Sequence, residues 1–225
     1  MNDLPRRAVA EAIGTFALIF FGCGASLLSS VPGAAFGLLG VALVHAIVLG
    51  VMITATMSIS GGHLNPAVTL GLLSTGRIDA RGAGIYVVAQ LLGAVLGAWL
   101  LTLLLPVGIA KNMGPSATPV LMNNLGLVQG IAWEAVLTFF LVSAVYGTAV
   151  AANAPKVGGF GIGLVLFFDI MVGGPMTGAA MNPARAFAPA LVGGNWFGQM
   201  VWWIGPIAGG VIAAQLWDRF LLKGR

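Results

Sequence analysis

Asn65-Pro66-Ala67 recurs as Asn182-Pro183-Ala184, 117 residues further along the chain, and each copy lies inside an otherwise apolar stretch. In water an Asn-Pro step marks a turn. At membrane depth an irregular backbone survives only where protein buries it or where it lines a water-filled cavity. Two matching breaks in the two halves of one chain therefore predict a path across a bilayer, built by an internal repeat.

Composition carries the membrane premise. Of 225 residues, 59% are hydrophobic and 7% charged, with a mean hydropathy of +1.01. A soluble domain has roughly 25% charged residues, and ten Lys and Arg with six Asp and Glu could not coat the surface of one this long. The net charge of +4 comes from scattered residues that form no stripe, which argues against a nucleic-acid partner. Cys23 stands alone and excludes an internal disulfide framework. The apolar run after Asp3, Arg6, Arg7 and Glu11 has no small-residue cleavage pattern behind it, so it reads as a permanent first span.

A helix needs about 20 apolar residues to cross the hydrocarbon. Six segments qualify: 9–29, 36–57, 83–105, 128–150, 159–175 and 199–218. Arg6, Arg7, Arg77, Arg81, Lys156, Arg219, Lys223 and Arg225 then fall on one side, against Lys111 on the other, with Arg185 inside the membrane. The positive-inside rule turns both termini to the cytoplasm, as an even number of spans requires.

The two halves open alike, with Glu11 in Glu-Ala-x-x-Thr-Phe and Glu134 in the same pattern. Three spans per half is an odd number, so the second half enters from the opposite side. The expected fold is an all-α membrane protein: six transmembrane helices plus two re-entrant half-helices in an inverted 3+3 repeat. It forms one channel domain, with repeat one at about 8–105, repeat two at about 128–222 and an extracellular link at about 106–127. Gly93-x-x-x-Gly97, Gly159-x-x-x-Gly163 and Gly205-x-x-x-Gly209 have the spacing of close helix crossings.

Asn is a favoured N-cap and Pro a favoured first helical residue, so short helices are expected over 66–75 and 183–192. As a cap, the Asn oxygen accepts from its own helix, which leaves the amide NH₂ as a donor pointing away. Two such donors meeting from opposite faces would hold the oxygen of one passing water. That water cannot then accept a proton from a neighbour, and the positive ends of both half-helices repel cations. Arg185 follows the second copy directly, and an Arg at this depth is a functional candidate by default. The alternative is a structural pairing with Asp169 or a loop carbonyl.

Ser60-Gly61-Gly62-His63-Leu64-Asn65-Pro66-Ala67-Val68-Thr69 and Gly178-Ala179-Ala180-Met181-Asn182-Pro183-Ala184-Arg185 resemble the signature loops of aquaporins. The resemblance covers essentially the whole chain, including both Glu positions and Trp203-Ile204-Gly205-Pro206. It implies one pore per subunit, a homotetramer, no cofactor, and a pore midplane at Asn65, Pro66, Ala67, Asn182, Pro183 and Ala184. It also implies an outer constriction of four residues: His45, 20 positions before Asn65; Ile170, 12 before Asn182; Ala179, three before Asn182; and Arg185. Strict water channels often carry His at the place of Ile170 and Thr or Cys at that of Ala179. This quartet is closer to that of plant vacuolar-membrane aquaporins.

The resemblance therefore implies passage of water, with ammonia, hydrogen peroxide and urea as candidate further solutes. Glu11 and Glu134 read as buried acceptors that orient the loops, and His63 as a loop brace. Asp169 either supports the constriction or faces a neighbouring subunit. A glycerol facilitator is the alternative cargo reading, but the Asp and the basic residue usual in that branch are replaced by Ala186 and Ala190. A poorly conducting structural membrane protein is a second alternative. An intramembrane enzyme has thin support, with only His45, His63 and Cys23 to supply base or nucleophile. The short termini suggest a prokaryotic plasma membrane.

Overall fold

Apolar runs bounded by Pro, Gly and Asn become helices of bilayer length in the computed structural model, which describes residues 3–34 and 37–222. In chain order these are α1 (Leu4–Leu28), α2 (Gly37–Thr56), the short α3 (Pro66–Ser74), α4 (Ala80–Leu104), a single turn α5 (Val107–Ala110), α6 (Leu127–Val145), α7 (Phe160–Thr177), the short α8 (Pro183–Gly193) and α9 (Val201–Leu216). No strand occurs among the described residues. Five of these helices are long and apolar enough to cross a membrane, with α6 running on to Val150 as a π turn. The sixth crossing is α9, whose 16 residues continue as a π turn to Leu221. Lys223 and Arg225 of the C-terminal basic group, and residue 36 of the second segment, lie outside the described residues.

Local chemistry sets the ends. Helix α1 begins near residue 4 instead of 9 because Pro5 occupies its first turn, where a missing N–H costs nothing. Asp79 caps α4 by accepting from the Gly82 N–H at 2.7 Å, which starts that helix three residues before its apolar run. The connection 106–127 is more ordered than a plain link, carrying α5 and a π turn at Met113–Ala117.

Both halves pack by the same device. Helix α1 lies on α4, and α6 lies on α9. A methyl on Gly93 would overlap the Ala12 carbonyl, and one on Gly97 would sit 2.7 Å from the Phe16 oxygen. Gly209 meets the Ala135 carbonyl and Gly205 the Ile131 carbonyl in the second half, while Gly159 and Gly163 meet Gly50 and Ala46 across α2 and α7. Backbones touch where side chains are absent, the packing that works where lipid removes a hydrophobic drive between helices. Outward faces are apolar, as with Val88, Leu92, Leu96, Trp99 and Leu103 on α4. The ends of α1, α3 and α9 share one face, where Arg7 donates to the Tyr86 hydroxyl and Arg77 pairs with Asp218.

Candidate functional site

The two short helices point their N-termini at one another. Asn65 caps α3, its Oδ1 accepting from the Ala67 N–H at 2.8 Å. Asn182 caps α8, accepting from Ala184 at 3.0 Å and Arg185 at 3.3 Å. The amides do not both point wholly into the lumen. Asn65 Nδ2 donates to the Met181 carbonyl at 2.8 Å, and Asn182 Nδ2 donates to the Leu64 carbonyl at 2.9 Å. Each NH₂ has two hydrogens, so one ties the halves together and one is left to donate to a guest.

Leu64 and Met181, 117 residues apart, sit at φ +52° and +51°. That region is unfavourable for side chains with a Cβ and persists only where the surroundings hold it. The holding groups are the buried carboxylates. Glu11 accepts from the Ser60 hydroxyl (2.6 Å), the His63 N–H (2.9 Å), the Leu64 N–H (2.6 Å) and Gln90 Nε2 (2.8 Å). Glu134 accepts from the Thr177 hydroxyl (2.6 Å), the Ala180 N–H (3.0 Å) and the Met181 N–H (2.7 Å). Each strained residue thus gives its N–H to a carboxylate and its carbonyl to the opposite Asn. An aromatic donor closes each loop from the third helix of its half: Tyr86 to the Ser60 carbonyl (2.7 Å) and Trp202 to the Thr177 carbonyl (2.9 Å).

A cavity of about 20 Å³ lies against Asn65 and Asn182 and is walled by Leu18, Leu49, Leu141 and Leu166. Room for one water needs roughly 10–15 Å³. Toward the face opposite the basic one it meets a mouth of about 170 Å³, partly lined by Pro115, Ser116, Thr118 and Pro119 of the long connection. His45, Ile170, Ala179 and Arg185 line both spaces, so the structure brings the four together at the junction. His45 Nδ1 lies 2.8 Å from the Val41 carbonyl. A carbonyl only accepts, so Nδ1 carries the proton and Nε2 is left as an acceptor. Arg185 is 7% exposed and donates from Nη1 to the Ala117 carbonyl at 2.7 Å.

Of the two partners weighed for Arg185, the loop carbonyl is the one in place. Asp169 is 2% exposed, and its Oδ2 has no hydrogen-bond partner among the described residues. It therefore neither pairs with Arg185 nor faces outward to a neighbouring subunit. His63 lines neither cavity; its Nδ1 is 3.1 Å from the Thr69 hydroxyl and its ring stands edge-on to Tyr86, the geometry of a brace.

Sequence reasoning passed over Ser60 and Thr177, Gln90, and the Ala117 carbonyl. The hydroxyls were legible, each five positions before its Asn, and Gln90 is an amide in an apolar span, a signal of a buried contact. A backbone carbonyl leaves no sequence trace. No group of three or more His, Cys, Asp or Glu placed to hold a metal occurs among the described residues.

The fold and these paired loops define a membrane channel of the aquaporin type. Residues 2–217 match the model of the major intrinsic protein family, and the chain belongs to that family. It is 44% identical to Aquaporin TIP4-4 of Zea mays, over 97% of this chain and 88% of that protein. It is 40% identical to Probable aquaporin TIP3-2 of Arabidopsis thaliana, over 98% and 85%. Its fold superposes on the X-ray structure of the aquaglyceroporin from Plasmodium falciparum with a TM-score of 0.85, at 24% identity over 97% of both chains. Members of this family are channels, not enzymes.

The expected prokaryotic plasma membrane does not stand, because the relatives that the chain matches are plant proteins. Short termini measure only how much chain lies outside the helices, and the physics of a pore is the same in every membrane.

Proposed function

We propose that the chain passes water through a pore of its own while excluding protons and ions, and that it also admits small neutral solutes, ammonia and hydrogen peroxide before urea. One observation carries the reading: a cavity the size of one water, against Asn65 and Asn182, each with an amide hydrogen to spare. A water whose oxygen accepts from both has no lone pair left for an incoming proton, and the converging half-helix ends and Arg185 disfavour cations. Leu18, Leu49, Leu141 and Leu166 on the wall offer no hydrogen bond, which favours onward movement of the water. Ile170 and Ala179 carry no polar side-chain atom at the junction, and they replace the His and the Thr or Cys of strict water channels with less polar side chains, which supports entry of small neutral solutes besides water. The relatives named as aquaporins support the water reading. In keeping with the resemblance, we further propose a homotetramer in a lipid bilayer, with the outward apolar faces shared between lipid and neighbouring subunits.

Stopped-flow swelling of proteoliposomes tests it. Fast water flux with a low activation energy, no proton conductance, and ammonia entry read by an internal pH dye are the expected results. Flux no faster than empty vesicles would leave the poorly conducting structural reading, and glycerol flux comparable to water would favour the facilitator.

A further inference from the structure

The connection 106–127 is sewn onto the second half-helix. Gly114, in its π turn, lies against Gly193 at the C-terminal end of α8. A methyl on Gly114 would overlap the Gly193 carbonyl, and one on Gly193 would come within 2.5 Å of the Gly114 Cα. Asn195 Nδ2 adds a long hydrogen bond to the Gly114 carbonyl at 3.4 Å. Further on, a methyl on Gly178 would stand 2.7 Å from Pro119 Cβ, and the Met122 N–H donates to the Met176 carbonyl at 2.8 Å. Between these two seams sits Ala117, fully buried, whose carbonyl receives Arg185 Nη1. The carbonyl that holds the guanidinium therefore belongs to a strap, and the contact of two glycine backbones sets how close the strap lies to α8.

We propose that Gly114 and Gly193 are positioning residues for the constriction: their backbone contact places the Ala117 carbonyl, and through it Arg185, at the pore. With a side chain in that seam the strap rises, the carbonyl leaves Nη1, and the freed guanidinium turns its donors into the lumen. Pore width and donors at the narrowest point govern flux, so the consequence falls on permeation through Arg185. The proposal rests on the channel reading above, and wild-type water flux tests that reading separately.

A double-mutant cycle on water permeability per reconstituted channel separates positioning from simple loss of structure. Gly114→Ala is expected to lower flux by about threefold or more when Arg185 is present, because the released cation obstructs the constriction. In an Arg185→Val background the same change should alter flux by less than about 1.5-fold, since no guanidinium remains to be misplaced. Gly108→Ala, in the same connection but with open space around it, should match the wild type. An equal fall in both backgrounds, or no fall in either, overturns the proposal. If Gly114→Ala does not reach the membrane folded, Asn195→Ala, which adds no atom to the seam, is carried through the same cycle with a smaller fall of the same kind expected and the same two outcomes against it.

Discussion

Leu64 and Met181 show what single residues contribute. Both are held at positive φ, and both spend N–H on a buried carboxylate and carbonyl on the opposite Asn. Their side chains are ordinary, so nothing in their identity announces the role; the neighbouring Asn-Pro does. At the proposed constriction the opposite holds, because side-chain identity is the whole effect. Ile170→His adds a polar ring beside His45 and Arg185 and narrows the junction. It should cut ammonia and urea flux by about tenfold relative to water, equivalent to ~1.4 kcal/mol of barrier. Paired flux measurements on one vesicle preparation check this, and an unchanged ratio would remove Ile170 from the selectivity argument.

At the scale of elements, spacing does the specifying. GxxxG in α4 and α9 brings each helix against the first helix of its own half, and these tight pairs frame the short helices between them. Gly93→Val would put its Cβ, with two methyls beyond it, against the Ala12 carbonyl on α1. Overpacking costs typically about 1–3 kcal/mol, and more where the obstacle is backbone. A lower unfolding temperature in detergent, with reduced yield, is the expected outcome, and thermal unfolding followed by circular dichroism reads it. The half-helices were legible to within a residue, 66–75 against Pro66–Ser74 and 183–192 against Pro183–Gly193, because Asn-Pro is a self-contained start signal. Helix α9 was less so: its chain turns to π geometry after Leu216, which no residue pattern marks.

Across the whole molecule the inverted halves are alike in plan and unequal in detail. Glu11 has a fourth partner in Gln90, whereas Glu134 makes do with three. On the basic face, Arg77 and Asp218 join the first half to the end of the second at 2.6 Å, with side chains 38% and 30% exposed. Pairs in such surroundings are worth about 0–1 kcal/mol. Arg77→Ala should therefore lower stability by less than about 1 kcal/mol and leave water flux intact. A large loss of flux in correctly assembled protein would instead show that this tie reaches the pore.

Span count, the repeat and the capped half-helices could be read from the order of residues, because each depends on local signals: apolar length and Asn before Pro. The four side chains proposed for the constriction came from the family resemblance, as positions at fixed distances from its motif. Tertiary structure decided the rest. The crossed bonds between each Asn amide and the other loop, the Ala117 carbonyl under Arg185, and the Gly114–Gly193 seam all join backbone atoms or segments far apart in sequence. Backbone groups are the same in every residue, so only packing determines which of them meet.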